Sequence, residues 1–264
     1  MPEEKAVQGW DEVKGWRREQ RARLIERRQA ISQNERRRLQ PLITRRLEEH
    51  FPQLARALVG FYWPFRGEVG LHALVRRLVG QGGRAALPVV VEKRQPLEFW
   101  AWSPGAPLAR GVWKIPIPAA REVVQPTVFL VPLVGFDDQG YRLGYGGGYY
   151  DRTLAAMSPR PLAIGVGYEF GRLGTIHPQP HDIPLDAIVT EAGVMRPRSE
   201  RRSHGARPHR GPDAFADVDE DPNGLATYAS PPCFMHELDP SYLGLAPHPD
   251  VEPAGSAPKD ADAK

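Results

Sequence analysis

The sequence predicts an α/β protein in which a mainly parallel sheet is covered by helices, followed by a low-complexity, disordered tail. Three observations lead there. Five short apolar runs, at residues 57–62, 85–91, 127–134, 162–168 and 187–190, are rich in β-branched or aromatic residues and are bounded by turn residues. The stretches between them, such as 71–79, have room for helical crossovers, the spacing of strand–helix–strand units in a layered fold. After residue 195 the composition changes abruptly to RPRSERRSHGARPHRGPD, then to an acidic patch and proline-rich text, with too little apolar surface to build a core.

The elements follow in order. Residues 11–30 are mostly helix formers, with Val13, Trp16, Leu24 and Ile25 giving a narrow apolar stripe among many arginines. Ser32 with Glu35 three residues later is a capping-box pattern, opening a second helix that Phe51-Pro52 stops near residue 49. Two helices therefore precede the first strand. A helical stretch at 71–79 links the strands at 57–62 and 85–91, and residues 149–157 have helical character after the strand at 127–134. The domain reads as 1–195 and the tail as 196–264.

Composition narrows the function. The 264 residues hold ample apolar material for one domain plus an appendage, with a formal net charge of +3. The first residues, MPEEKAVQGWDE, lack a cationic start followed by an apolar run, and no stretch approaches the ~20 apolar residues of a spanning helix. A cytoplasmic protein without membrane contact is expected. The single cysteine, Cys233, forms no intramolecular disulfide. Arginines concentrate at 17–46 and 196–210 without interleaved aromatics, which reads as solvated faces, so nucleic acid is not an expected partner. Within the tail, residues 230–245 (SPPCFMHELDPSYLGL) are richer in apolar residues, but Cys233, His236, Glu237 and Asp239 fit no standard metal spacing. That island reads as a docking segment for an unknown protein or as a remnant of a neighbouring domain.

The most informative stretch is 131–153, VPLVGFDDQGYRLGYGGGYYDRT. Gly144, Gly146, Gly147 and Gly148 let a polyanion approach bare backbone and permit turns that aim successive amides at one oxygen cluster. The helix that follows presents its N-terminal amides and dipole to negative charge. Arg142 and Arg152 can add forked donors, and Asp151 is placed to hold a divalent cation. Glycines alone are better explained by a tight strand-to-helix turn, and the string matches neither the lysine-bearing phosphate loop nor the dinucleotide fingerprint.

The whole string, with its surroundings, resembles the 5-formyltetrahydrofolate cyclo-ligases, also called 5,10-methenyltetrahydrofolate synthetases. The resemblance runs from about residue 14 to 193. It rests on a basic N-terminal helix, FYWPFRGEV at 61–69, ALPVVV at 86–91, LEFWAW at 97–102, GVWKIPIP at 111–118, the glycine loop and HDIPLDAIVTE at 181–191, in that order. It implies a layered fold similar to that of sugar-phosphate isomerases and CoA transferases. The implied reaction is ATP-driven closure of 5-formyltetrahydrofolate to 5,10-methenyltetrahydrofolate with Mg2+, releasing ADP and phosphate.

The resemblance also implies site residues. Arg142 and Tyr149 are the catalytic candidates. ATP would be held by Lys14, Arg17, Arg18, Arg142, Leu143, Gly144, Tyr145, Gly146, Gly147, Gly148, Tyr149 and Tyr150, and Mg2+ by Asp151 and Asp182. Trp63, Glu68 and the loop from Tyr145 to Tyr149 would line the folate side, Glu68 pairing with an aminopyrimidinone edge. Trp113 is similar to an aromatic position near the folate but is read as core. In the family a lysine, three residues, then an arginine after an apolar residue reach the nucleotide. Lys14 and Arg18 keep that spacing, whereas Trp16-Arg17 keeps the apolar–arginine step, so both arginines are candidates. A loop lysine of some relatives is replaced here by Gly147. Two other classes fit parts of the sequence: a polyanion-binding relative without catalysis, and another ATP-using enzyme on the same scaffold.

Overall fold

The computed structural model describes residues 9–197. The expected tail from residue 198 onward, with Cys233 and the 230–245 island, lies outside the described residues.

The chain begins with α1 (Trp10–Gln29), whose first turn carries Asp11 and Glu12 and whose last carries Arg27 and Arg28, complementing the helix dipole. Next comes α2 (Gln33–His50), capped as expected by Ser32, whose hydroxyl accepts from the Glu35 amide at 3.2 Å. After β1 (Leu58–Gly60) come α3 (His72–Gly80), β2 (Arg84–Val89), β3 (Glu98–Trp102), β4 (Leu108–Arg110), β5 (Pro116–Pro118) and β6 (Val123–Val124). The chain continues with β7 (Val128–Pro132), β8 (Gly135–Phe136), β9 (Arg142–Leu143), α4 (Tyr149–Ala156), β10 (Leu162–Val166), β11 (Ala187–Val189) and β12 (Val194–Met195).

Eight strands form one sheet in the order β12-β11-β10-β7-β1-β2-β3-β6. The five runs expected as strands become its contiguous parallel centre, β11-β10-β7-β1-β2. Both flanks are antiparallel: β3 pairs with β2 and β6 with β3, while β12 pairs with β11. In β7 four consecutive residues from Val128 to Val131 are buried, as expected of a strand covered on both faces. Phe129, Val131, Ala163 and Ile188 pack with Leu154 of α4, and Phe129 stacks on Phe99 of β3 at 4.5 Å between centroids.

This order fixes where a ligand can sit. From β1 the chain moves to β2 on one side, and β7 later returns to the other side of β1. The connections leaving β1 and β7 therefore diverge at their carboxyl ends and open a crevice at the switch point. Residues 61–71 form one wall, and residues 133–148, which contain the glycine loop, form the other.

Adjoining the first of these walls, His72 at the start of α3 is 7% exposed, amid Phe61, Trp63 and Trp102. Neither ring nitrogen has a hydrogen-bond partner among the described residues. Burial, with a smaller contribution from Arg76, lowers its pKa to about 4. The unfolded chain then binds a proton that the folded chain refuses, so stability is full above pH ~6.5 and falls as the pH drops towards 4. The loss is about 3 kcal/mol. Denaturant titrations of wild type and His72→Phe across that range check this: the variant should lack that share of the acid destabilisation, and an unchanged slope would exclude His72 as its source.

Candidate active site

The glycine loop joins β9 to α4. Gly146 and Gly148 have φ values of +94° and +60°, the left-handed region in which a side chain is strained. Gly148 is the N-cap of α4 and supplies no side-chain cap, which leaves the first-turn amides directed at the crevice. A Cβ at Gly147 would fall 2.8 Å from the Tyr149 ring, so a side chain there would have to displace that ring. Leu143 is buried, and its carbonyl accepts from the Val134 amide at 3.0 Å, so it anchors the loop rather than offering a side chain.

Arg142, 8% exposed, extends from β9 to the Ile183 carbonyl at 2.9 Å and to Asp151 Oδ1 at 2.8 Å. Asp151 Oδ1 also accepts from the Ile183 amide at 3.0 Å. Burial raises the Asp151 pKa, Arg142 opposes that rise, and Asp182 adds to it, which puts the two carboxylates within electrostatic reach of each other. Asp182 Oδ2 takes Arg17 at 2.5 Å and the Gln179 amide at 2.7 Å. The hydrogen bonds described end on Asp151 Oδ1 and Asp182 Oδ2, and His181 Nε2 lies 3.9 Å from Asp182 Oδ1, so Asp151 Oδ2 and Asp182 Oδ1 are the oxygens that could reach a hard cation. With phosphate oxygens and water completing the shell, that donor set suits Mg2+. Among the described residues no cluster of three or more His, Cys, Asp or Glu side chains forms a self-sufficient cage.

Helix α1 supplies cations to the same crevice, which corrects the reading of its arginines as a solvated face. Arg17 and Arg28 are 5% and 3% exposed. Arg17 binds the carbonyls of Ile176 and His177, both at 3.0 Å, besides Asp182. Arg21, one turn on, donates to the Gly144 carbonyl at 2.9 Å. Of the two arginine candidates, Arg18 is exposed to solvent, whereas Arg17 faces inward. Lys14 is half-buried over the Trp10 ring, 3.9 Å from Asp11.

On the opposite wall Glu68 is buried, its Oε2 accepting from the Phe65 amide at 2.9 Å and its Oε1 from the Tyr145 hydroxyl at 3.0 Å. Burial raises its pKa, with Arg28 and these two bonds opposing. Tyr145 therefore spans the crevice, linking the glycine loop to the segment after β1. Burial, reinforced by the nearby Glu68, pushes the Tyr150 phenol up as well.

One expectation changes, that of Trp113. Trp113 is 44% exposed, with its backbone at φ +55°, and meets Tyr149 edge-on at 6.1 Å, so it belongs to the rim of the crevice rather than the core. Trp63 is buried, packed edge-on against His72 at 4.2 Å. Arg152 turns back onto the Gly147 carbonyl and crosses the Tyr149 ring at 5.5 Å, bracing the loop instead of facing outward.

Sequence reasoning passed over Arg21, Arg28 and Asp137. Residues 17, 21, 24 and 28 recur at helical spacing, the signal that would have put them on one inward face. Asp137, 1% exposed, accepts from the amides of Gln139, Tyr141 and Ile176, each at 3.1 Å, and so folds the turn from β8 to β9 and ties it to the chain before Asp182.

Known proteins resemble this chain over most of the described residues. The sequence profile of the 5-formyltetrahydrofolate cyclo-ligase family matches residues 13–191. The 5-formyltetrahydrofolate cyclo-ligase of Escherichia coli K12 is 30% identical over 178 residues, 65% of this chain and 98% of that protein. The Haemophilus influenzae protein of the same name is 30% identical over 138 residues, 50% of this chain and 74% of its own. The NMR structure of Aquifex aeolicus 5,10-methenyltetrahydrofolate synthetase superposes with a TM-score of 0.61 at 32% identity, covering 74% of this chain and 99% of that one. No helix among the described residues is long and apolar enough to cross a membrane. The family match over residues 13–191 and the Escherichia coli relative, aligned over 98% of its own length, place the chain in the 5-formyltetrahydrofolate cyclo-ligase family.

Proposed function

We propose that this chain, through a catalytic domain spanning residues 1–195, closes 5-formyltetrahydrofolate to 5,10-methenyltetrahydrofolate at the cost of one ATP. The observation that carries the reading is the glycine loop at the N-terminus of α4, joined by Tyr145 to the buried carboxylate of Glu68 across one crevice. A phosphate-binding wall and a carboxylate suited to an aminopyrimidinone edge then face each other.

The formyl oxygen is a poor leaving group. Its attack on the γ-phosphorus forms an O–P bond and breaks the bond to ADP. N10 then attacks the activated carbon and gives up its proton to solvent, the C–O bond breaks, and the oxygen departs within phosphate. The protein has to align these atoms, stabilise charge and exclude water. Loop amides and the inward guanidiniums of Arg17, Arg21 and Arg142 surround the volume where the phosphates would lie. Tyr149 and Trp113 border the opening where water must be kept out. Asp151 and Asp182 would hold Mg2+, which when bound neutralises phosphate charge and orients the transferring group.

Purified protein with 5-formyltetrahydrofolate, ATP and Mg2+ should generate the ultraviolet absorbance of the methenyl product, and omission of any one component should abolish it. ATP hydrolysis independent of the folate would instead indicate another substrate on this scaffold. The inward geometry also separates the basic candidates on α1. Arg17→Ala and Arg21→Ala should each raise the KM for ATP at least ~10-fold, as loss of a charge-assisted hydrogen bond does. Arg18→Ala should leave it within about twofold, as expected for an exposed charge. Equal effects from Arg17 and Arg18 would contradict the assignment.

A further inference from the structure

The geometry points to Arg28 as a positioning residue for folate recognition: reaching from α1 into the crevice, it fixes the Glu68 side chain and the Tyr145 bridge in the arrangement that presents a carboxylate to the substrate. This rests on the reading of Glu68 as the folate-side carboxylate. The guanidinium of Arg28 is spent on both walls at once. Its Nε donates to the Arg66 carbonyl at 2.9 Å, one amino group donates to the Leu133 carbonyl at 2.9 Å, and the other donates to the Tyr145 hydroxyl and lies 3.9 Å from Glu68 Oε1. Arg66 belongs to the turn after β1 and Leu133 to the segment after β7, so one buried cation ties together the two connections that diverge at the switch point.

The turn carrying Glu68 needs such a tie. Arg66 and Gly67 both lie in the left-handed region, at φ +48° and +77°, and for Arg66 that conformation persists only when its surroundings hold it. Arg28 takes the carbonyl of Arg66, and Arg36 of α2 takes that of Gly67 at 2.7 Å. The two arginines differ in one respect. Arg28 also neutralises the Glu68 carboxylate, whereas the bonds of Arg36 go to the carbonyls of Ile31, Gly67, Arg28 and Gln29. Among the described residues, the phenols of Tyr145 in the glycine loop, Tyr62 after β1 and Tyr150 on α4 also lie within electrostatic reach of Glu68. Arg28 is thus the guanidinium whose charge opposes the rise that burial imposes on the Glu68 pKa.

The test compares Arg28→Met, Arg28→Lys, Arg36→Met and Tyr145→Phe with wild type in two readouts. In ligand-free protein labelled with 13C at glutamate carboxyls, with Glu68→Gln to assign the signal, the Glu68 titration midpoint should move up in Arg28→Met and Tyr145→Phe. It should stay near wild type in Arg36→Met and return most of the way in Arg28→Lys. In steady-state kinetics, Arg28→Met should raise the KM for 5-formyltetrahydrofolate at least ~10-fold while changing the KM for ATP less than about threefold. Should Arg28→Met not fold, Tyr145→Phe and Arg28→Lys carry the same comparison. An unmoved midpoint, or one moved equally by Arg36→Met, would overturn the pairing whatever the substrate is. A moved midpoint with equal effects on both KM values would keep the ion pair but overturn its role in folate recognition. A wild-type protein that titrates as expected yet does not turn over the folate would reject the proposed substrate and not the pairing.

Discussion

Arg142→Ala is expected to lower turnover by at least ~100-fold, the effect of removing a donor aimed at charge that develops during phosphoryl transfer. The side chain is preorganised: the Ile183 carbonyl and Asp151 fix the guanidinium before any ligand arrives, so no reorganisation is needed at the moment of reaction. Arg142→Lys should recover little, because an ammonium cannot span the carbonyl, the carboxylate and a phosphate oxygen together. Loss of the buried cation also leaves Asp151 uncompensated, so the alanine variant should unfold more easily, by about 3 kcal/mol. Steady-state rates on protein confirmed as folded by circular dichroism separate the two effects. A folded variant with wild-type turnover would remove Arg142 from the chemistry.

Asp151→Asn should be nearly as damaging, with turnover down about 100-fold and the Mg2+ concentration needed for half-maximal rate moved upward. The Mg2+ dependence is the decisive part. Asp151 also anchors Arg142, and a carboxylate acting only as an anchor would lower the rate without displacing the metal requirement. Asp182→Asn, which loosens Arg17 instead, should displace the Mg2+ requirement in the same direction and weaken ATP binding as well. Unchanged Mg2+ dependence in both variants would show that the two carboxylates serve the arginines alone.

The fold's centre was legible because each central strand is a compact apolar run whose burial on both faces leaves a continuous signal, as at Val128–Pro132. Its margins were not. β6 and β12 are two residues long and exist only through their partners, and the alternation in Glu98–Trp102 was read as a family motif without being assigned to a strand. In the site, the glycine loop announces itself because backbone freedom is written in residue type. Which faces of α1 meet it is not written so directly: arginine content suggests solvent, and only the recurrence of 17, 21, 24 and 28 hints that the cations turn inward. Trp113 misleads for the converse reason. Its composition suggests core, but a left-handed backbone within a short turn carries the ring out to the rim.

The central claim is that the formyl oxygen leaves the folate within phosphate, and transfer of an oxygen label tests it most directly. 5-Formyltetrahydrofolate carrying 18O in the formyl group would be turned over with unlabelled ATP and Mg2+, and the released phosphate weighed by mass spectrometry. One 18O per phosphate, in step with methenyl product, is the expected result. Product formed alongside unlabelled phosphate, with the label released to water, would contradict phosphorylation of the formyl oxygen and leave ATP hydrolysis a separate event in the same crevice.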